Sequence, residues 1–487
     1  MKLGDAVSTE LEKSLRQSGV RLVRFLLNDI NSSTRGKASS IDTFSSRLTS
    51  GIGIVKGTMA QNILDQLQVD SGFGATGEVR LVPDVSTLKV LPYLKSSALV
   101  LCDLMELDGR PWALCPRDFL KRQIEDARSM GIDVQAALEP EFMLGTMVAG
   151  QFDPIERGLC FSTRSMNGAD AFIDRLMTCL EAQNIEVEQY YAELGAGQHE
   201  MSIKHASALA AADRYLIFRE TVYGVAQEMG LLATFVPKRA PSEPGNGCHL
   251  HLSLWDLEGK TNLMAANRSG TANSSSTANS VGTASSSDTA NSTDTANSSG
   301  IAGEAVLSEM GRYFIAGILH HIKGLCALTC ASINSYWRLK PRSWSSAYTC
   351  WGYDNREAAI RVPSTYWGHE VDSTNIELKC MDNTANPYLA LGAVIACGLD
   401  GIKRKLELPP PVQGDPCDLL PDEAEAAKVE RLPGSLNEAL TELEADLFLM
   451  RLLGPELANT FIVVKTSEID ALGSDASYEF ATYLERY

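Results

Sequence analysis

Residues 248–256, CHLHLSLWD, alternate strictly, with His249, His251 and Ser253 set against Leu250, Leu252 and Leu254. Successive side chains of a strand point to opposite faces, so this pattern predicts a half-buried strand with two imidazoles and a hydroxyl on its polar side. AALEPEFML (136–144) places Glu139 and Glu141 on one face of a second strand, and NIELKCMDNTANPYLA (375–390) places Glu377 and Lys379 on one face of a third. Between residues 20 and 100, short apolar runs separated by polar turns predict a small sheet-rich domain. PRDFLKRQIEDARSMG (116–131) has the period of an amphipathic helix, and EAVLSEMGRYFIAGILHHIKGL reads as another. From residue 116 strands and helices alternate to the C-terminus, an α+β pattern. The N-terminal MKLGDAVSTELEKSL reads as a surface helix capped by Thr9 and Glu12 in capping-box spacing.

One stretch has no such pattern. In residues 269–300, Thr-Ala recurs at 271, 277, 283, 289 and 295, and Val281 is the one large apolar side chain. A β-helix would need an apolar residue in each turn, so the segment is expected to be a flexible, dispensable insertion, spanning 266–303 with its flanks.

Length and charge narrow the picture. At 487 residues the chain exceeds one ordinary core, and two domains are expected, 1–110 and 111–487. A net charge of −18 argues against nucleic-acid and anionic-membrane partners. There is no uninterrupted apolar run of about 18 residues and no hydrophobic signal core. Eleven cysteines without CxxC pairs read as reduced thiols in a cytoplasmic protein, with Cys248 a buried thiol.

The carboxylates carry the chemistry. Two unit charges about 5 Å apart repel by roughly 3 kcal/mol at an effective dielectric near 20, so Glu139 and Glu141 on one face mark either a solvent-facing edge strand or a shared cation. EVEQYYAELGAGQHEMSI (186–203) adds Glu188, Glu193 and Glu200, with a GAGQ turn placed to fold Glu193 back toward Glu200. SINSYWRLKP and DNREAAIRVP supply Arg338, Arg356 and Arg361. Oxygen donors with one or two imidazoles suit Mg²⁺ or Mn²⁺ better than zinc. Divalent ions flanked by guanidinium groups are what phosphoryl transfer requires, and no Walker or kinase signature is present.

In EPEF (139–142), AELGAGQHE (192–200), GNGCHLHLSLW (from 247 onward), NSYWRL (334–339), NREAAIRVP (355–363) and ANPYLALGAVIACGLDGI (385–402), the chain resembles class I glutamine synthetases along nearly its whole length, the Ser/Thr-rich insertion excepted. The resemblance implies a small N-terminal β-grasp domain, a catalytic domain on a curved antiparallel sheet, and ATP and glutamate entering opposite ends of a funnel. It implies that Glu141, Glu193 and Glu200 hold one metal and Glu139, His249 and Glu377 a second. Glu188, His251, Ser253 and Arg361 then contact ATP, and Arg338, Arg356 and Lys379 serve the glutamate and phosphoryl side, though the family has arginine at the position of Lys379. It also implies closed homo-oligomeric rings, about twelve subunits, with each active site shared between neighbours.

The departures cluster on the ammonia side. Trp344 stands where ammonia-using members carry a loop glutamate, and Lys56 aligns with their ammonium-holding aspartate. Pro244 replaces an asparagine, Asn375 an ATP-side arginine, and Cys417 the tyrosine that bacterial members adenylylate. Use of free ammonia is therefore not expected. The expectation is a non-classical member that binds Mg²⁺- or Mn²⁺-ATP and resembles lengsin, with a structural or chaperone-like role. The alternative is an ATP-dependent γ-glutamyl ligase that joins glutamate to an amine.

Overall fold

The computed structural model describes residues 5–266, 307–473 and 475–487, so the insertion expected over 269–300 lies outside the described residues. Helix α1, Asp5–Gln17, is already helical at Asp5. Thr9 therefore sits inside it and is not its cap, because a capping side chain must come from the half-in residue that precedes the first turn.

The apolar runs between 20 and 105 form strands β1 (Leu22–Asn28), β2 (Thr34–Ser40), β3 (Ile52–Val55), β4 (Glu78–Pro83), β5 (Lys89–Val90) and β6 (Ser97–Met105). They make one sheet in the order β2-β1-β6-β4-β3, with β5 against β6. The β1–β6 pair is parallel, and the other pairs are antiparallel. Helix α2, Ile41–Ser50, interrupts the expected run of strands. Ser40 caps it, accepting from the Asp42 N–H at 3.3 Å, and Ile41, Phe44 and Leu48 are its buried face. Their 3- and 4-residue spacing is the helical signal in that stretch.

The larger sheet has ten strands among the described residues: β7 (Ile132–Val148), β8 (Gln151–Pro154), β9 (Val187–Ala192), β10 (Gln198–Ile203), β11 (Ala206–Ser207), β12 (Leu232–Thr234), β13 (Cys248–Asp256), β14 (Tyr348–Tyr353), β15 (Ala358–Val362) and β16 (Ile376–Leu378). Its path is β14-β15-β16-β13-β7-β10-β9, with β8, β11 and β12 on β7. The sheet is not wholly antiparallel: β14 and β15 run parallel. Helices α3 (Pro116–Ser129), α4 (Thr163–Ala182), α5 (Ala208–Glu228), α6 (Glu309–Thr329) and α7 (Pro387–Arg404) accompany it. The alternation of strands and helices stops after β16, and helices alone continue to Arg486. Nearly every residue of α7 from Pro387 to Leu399 is buried, which its all-round apolar sequence requires of a helix with neighbours on every side.

Arg117, near the start of α3, ties the N-terminal sheet to helix α5. It donates to Asp213 of α5 at 2.9 and 2.8 Å, to Asp103 of β6 at 3.1 Å and to Asp84 after β4 at 2.7 Å. Among the described residues no single helix is long and apolar enough to cross a membrane.

Candidate active site

Strand β7 is the spine of the site. The leucine side of β13 is buried, as alternation demands, and its polar side opens into a cavity of about 1150 Å³. Every candidate residue named from the sequence as a metal, ATP, glutamate or phosphoryl contact lines this cavity, from Glu139 on β7 to Lys379 just past β16. Register brings them together. Glu200 of β10 stands opposite Glu141, and His249 opposite Glu139. On the far side of β13, Glu377 stands opposite both His251 and Arg361. The β9–β10 hairpin returns Glu193 toward Glu200 as the GAGQ turn implied.

One half of the site is neutralised from within. Glu377 Oε2 accepts from Arg361 at 2.6 Å, and its Oε1 lies 3.3 Å from Lys379 Nζ and 3.2 Å from His249 Nδ1. Burial disfavours that carboxylate, but Lys379, the two imidazoles and Arg361 outweigh burial and hold it well below the usual carboxylate range. Glu139 pairs with His251 at 3.2 Å. There too burial opposes ionisation, and His251 overcomes it, holding Glu139 at about 2, while the same pairing lifts His251 to about 9 against its own burial. Burial and then the charge of Lys379 keep His249 at about 3, a neutral ring.

The other half holds its protons more tightly than free carboxyls do. Burial and then Glu193 push Glu141 up to about 7. Burial, followed by Glu141 and Glu139, raises Glu200 well above its ordinary value, and burial raises Glu193. Buried carboxyls that repel one another behave this way even though Arg338, Arg356 and Lys379 act in the opposite direction, because burial is the larger effect. Gln198 Nε2 donates to Glu141 at 2.6 Å and the Tyr191 hydroxyl to Glu200 at 2.5 Å, which orients both groups.

The donor set fits a divalent cation of the Mg²⁺ or Mn²⁺ type, since it is oxygen-rich with imidazole. The donor atoms of Glu139, His251 and Glu377 all lie within 4.8 Å of one another and could hold an ion. His249, the imidazole expected there, also meets Glu377, its Nδ1 3.2 Å from Oε1 and its Nε2 3.5 Å from Lys379 Nζ. Alternation put both imidazoles on one face, and both meet the carboxylates there.

Gly247 lets the two halves close on each other. A Cβ there would lie 2.8 Å from Arg338 Nη2, 2.9 Å from Glu141 Oε1 and 3.1 Å from His249 Nε2. Asn383 locks the same corner, donating to the carbonyls of Glu141 and Gly247 at 3.0 and 2.9 Å. Asn375 Oδ1 lies 2.8 Å from His251 Nδ1, so the residue that replaces an arginine in the resemblance orients an imidazole. Gln198, Tyr191 and Asn383 were not singled out in the sequence: their partners lie on other strands, and no local pattern marks them. Glu188 lines the cavity from the exposed side of β9, and the Ser253 hydroxyl accepts from Trp255 Nε1 at 2.9 Å.

Of the two residues read as replacing an ammonium site, one lies at the cavity. Trp344 lines it, more than half exposed. Lys56 does not line it: its Nζ donates to Glu106 at 2.7 Å and sits 5.4 Å from the Trp112 ring centre. Pro244 lines the cavity, Cys417 is exposed elsewhere, and Cys248 is buried.

Residues 9–112 match the glutamine synthetase N-terminal domain, and residues 113–284 and 290–483 the glutamine synthetase catalytic domain. The chain belongs to the glutamine synthetase family. It is 30% identical over 470 residues to type-1 glutamine synthetase 1 of Dictyostelium discoideum, covering 92% of this chain and 86% of that one. It is 35% identical over 416 residues to a γ-glutamylpolyamine synthetase of Streptomyces coelicolor, covering 84% and 81%. A glutamate–methylamine ligase of Methyloversatilis universalis is 29% identical over 98% of this chain and 99% of its own. Among solved structures, a novel glutamine synthase homolog superposes with a TM-score of 0.78 at 32% identity, covering 96% of this chain and 99% of that chain. A GmaS/ADP complex gives 0.77 at 26% identity, with 96% of each chain covered.

Proposed function

We propose that this protein is an ATP- and divalent-cation-dependent ligase that joins the γ-carboxylate of glutamate to an organic amine and not to free ammonia. One observation carries the reading. A single cavity holds the carboxylate and imidazole set beside the buried cations Arg338 and Lys379, yet presents Trp344 where an ammonia-using relative has a carboxylate. Two relatives in the same family are named for amine acceptors, which supports it.

Glu139, His249, His251 and Glu377, with Glu141, Glu193 and Glu200 beside them, would hold the cations. Bound there, divalent ions neutralise phosphate oxygens. Glu188, Ser253 and Arg361 face the nucleotide end of the cavity in this reading. Arg338, Arg356 and Lys379 hold the glutamate carboxylates and the phosphoryl oxygens. The γ-carboxylate oxygen attacks the terminal phosphorus of ATP, and ADP leaves. The amine nitrogen then donates its lone pair to the γ-carbonyl carbon. The bond from that carbon to the phosphate oxygen breaks, orthophosphate leaves with the electron pair, and the departing phosphate takes the proton shed by the new amide.

The test is phosphate release from Mg-ATP and glutamate, with ammonia and a panel of amines in parallel. Product with an amine and none with ammonia is the expected result. Efficient glutamine synthesis would overturn the reading.

A second reading is a lengsin-like structural member without turnover. The observation that favours it is the internal neutralisation of Glu139 and Glu377 by His251, Arg361 and Lys379, which leaves that half stable without a metal. It predicts no phosphate release from Mg-ATP and glutamate with any acceptor, whether or not Mg-ATP binds.

A further inference from the structure

Four large apolar or aromatic side chains stand more than half exposed on the cavity wall: Trp344 (59%), Phe161 (63%), Leu194 (54%) and, with its N–H on the Ser373 hydroxyl, Tyr366 (69%). Phe161 and Leu194 flank Glu193, and Trp344 stands on the wall of the same cavity. Leu194 donates its N–H to Glu193 Oε2 at 3.0 Å, and the thiol of Cys160, next to Phe161, lies 3.9 Å from the same oxygen. Arg356 acts on Glu193 electrostatically, and its neighbour Glu357 holds Trp344.

Phe161 and Trp344 are fixed by backbone that bulky residues rarely adopt. Phe161 has φ 56° and Trp344 φ 55°, and Arg342 and Ser346 on either side of Trp344 are also left-handed, at 58° and 69°. Such conformations persist only where the surroundings impose them. Around Trp344 they are imposed by its own N–H, which donates to Glu357 Oε1 at 2.7 Å, and by the hydroxyls of Ser343 and Ser345, which both donate to the Arg338 carbonyl. Glu357 is 8% exposed, and its Oε2 is buried without a hydrogen-bond partner among the described residues. A carboxylate kept at that cost points to a requirement on where Trp344 stands. Phe161 is held by its N–H on the Ala192 carbonyl at 2.9 Å and by an edge contact with Tyr191, ring centres 5.1 Å apart.

We propose that Trp344, Phe161 and Leu194 form the acceptor subsite and select a primary monoamine with an aromatic or similarly bulky apolar body, with Glu357 the positioning residue for Trp344. The inference rests on the ligase reading above. An apolar body loses nothing on leaving water for this wall, whereas the second ammonium of a diamine would need its own carboxylate. Of the acids on this cavity outside the cation set, Glu243 is paired with Arg239 at 2.7 Å and Asp354 accepts from Ser364, while Glu188 and Asp372 also line it, so putrescine is the decisive competitor in the test. Methylamine is too small to touch two rings at once.

The test uses the full chain with Mg-ATP, glutamate and, in turn, ammonia, methylamine, putrescine, phenethylamine and hydroxylamine, reading γ-glutamyl product by mass spectrometry. Phenethylamine is expected to have the highest kcat/KM. Trp344→Ala and Phe161→Ala should each lower the phenethylamine-to-methylamine ratio of kcat/KM by about tenfold or more, within the range that apolar pocket contacts provide. Glu357→Ala should raise KM for phenethylamine with little change in kcat, and Glu357→Gln, which keeps an acceptor oxygen for the Trp344 N–H, should restore it. Melting curves of each variant separate a lost subsite from a lost fold. Preference for methylamine or putrescine, or ratios unchanged in the variants, overturns the subsite and leaves the ligase reading standing. Absence of product with every acceptor, hydroxylamine included, overturns the ligase reading itself.

Discussion

Glu479 is buried in the C-terminal helix Ala476–Arg486, and its Oε1 has no hydrogen-bond partner among the described residues. Burial pushes its carboxyl up to about 7. A proton held more tightly in the folded than in the unfolded chain costs stability as pH rises: the penalty is absent below about 4.5, grows toward 7 and is complete above it. Glu479→Gln should therefore raise the melting temperature at pH 8 by several degrees and leave it nearly unchanged at pH 4.5. In the site, Glu139→Ala and Glu200→Ala should abolish stabilisation by Mg-ATP in a thermal-shift assay. In the parent, a ligand at a hundred times its dissociation constant adds about 2.7 kcal/mol. A response like the parent's would remove both residues from the cation site. Residue identities were legible here because carboxylates and imidazoles in a two-residue period have few ordinary uses. Their partners Gln198 and Tyr191 were not, because each meets its group across a strand pair.

Among the elements, the strands on either side of the site were readable from alternation, and α3 and α6 from their period. Two things were not. The capping box at Thr9 fits any helix that starts there, and nothing local showed that this helix starts earlier. The parallel pairing of β14 with β15 leaves no local mark, since side-chain period is the same in either direction. The contact between the N-terminal sheet and α5 also lies beyond local pattern, since Arg117 gathers carboxylates from three distant segments. Its removal leaves Asp213, 9% exposed at the side chain, with a buried charge held by the Tyr388 hydroxyl at 2.6 Å and no cation among these contacts. Arg117→Ala should cost about 3–5 kcal/mol in denaturant unfolding. A loss below about 1 kcal/mol would show that the cluster contributes no more than surface pairs do.

For the whole molecule, the N-terminal sheet ends on β2 and β3, which have no further strand beside them among the described residues. Unpaired edges invite pairing with another chain, and closed rings remove them. Light scattering is expected to give a large homo-oligomer, about twelve subunits by the family resemblance. A monomer at micromolar concentration would contradict it. An oligomer also bears on Lys56: its own cavity does not receive it, so it would influence an active site only from a neighbouring subunit. Lys56→Asp alone should leave amine use unchanged in any preparation that is monomeric.

Six motifs in order were enough for the family, and alternation was enough for the face on which each candidate residue lies, because both are properties of sequence separation. Which carboxylate each imidazole meets, which acids bind their protons more tightly, and whether Lys56 lines the cavity with Trp344 depend on strand order, depth and neighbours. Those are set by contacts between segments up to hundreds of residues apart. The tertiary structure placed His251 between Glu139 and Glu377, paired Lys56 with Glu106, and stood Trp344 on the cavity wall by the hydrogen bond to Glu357.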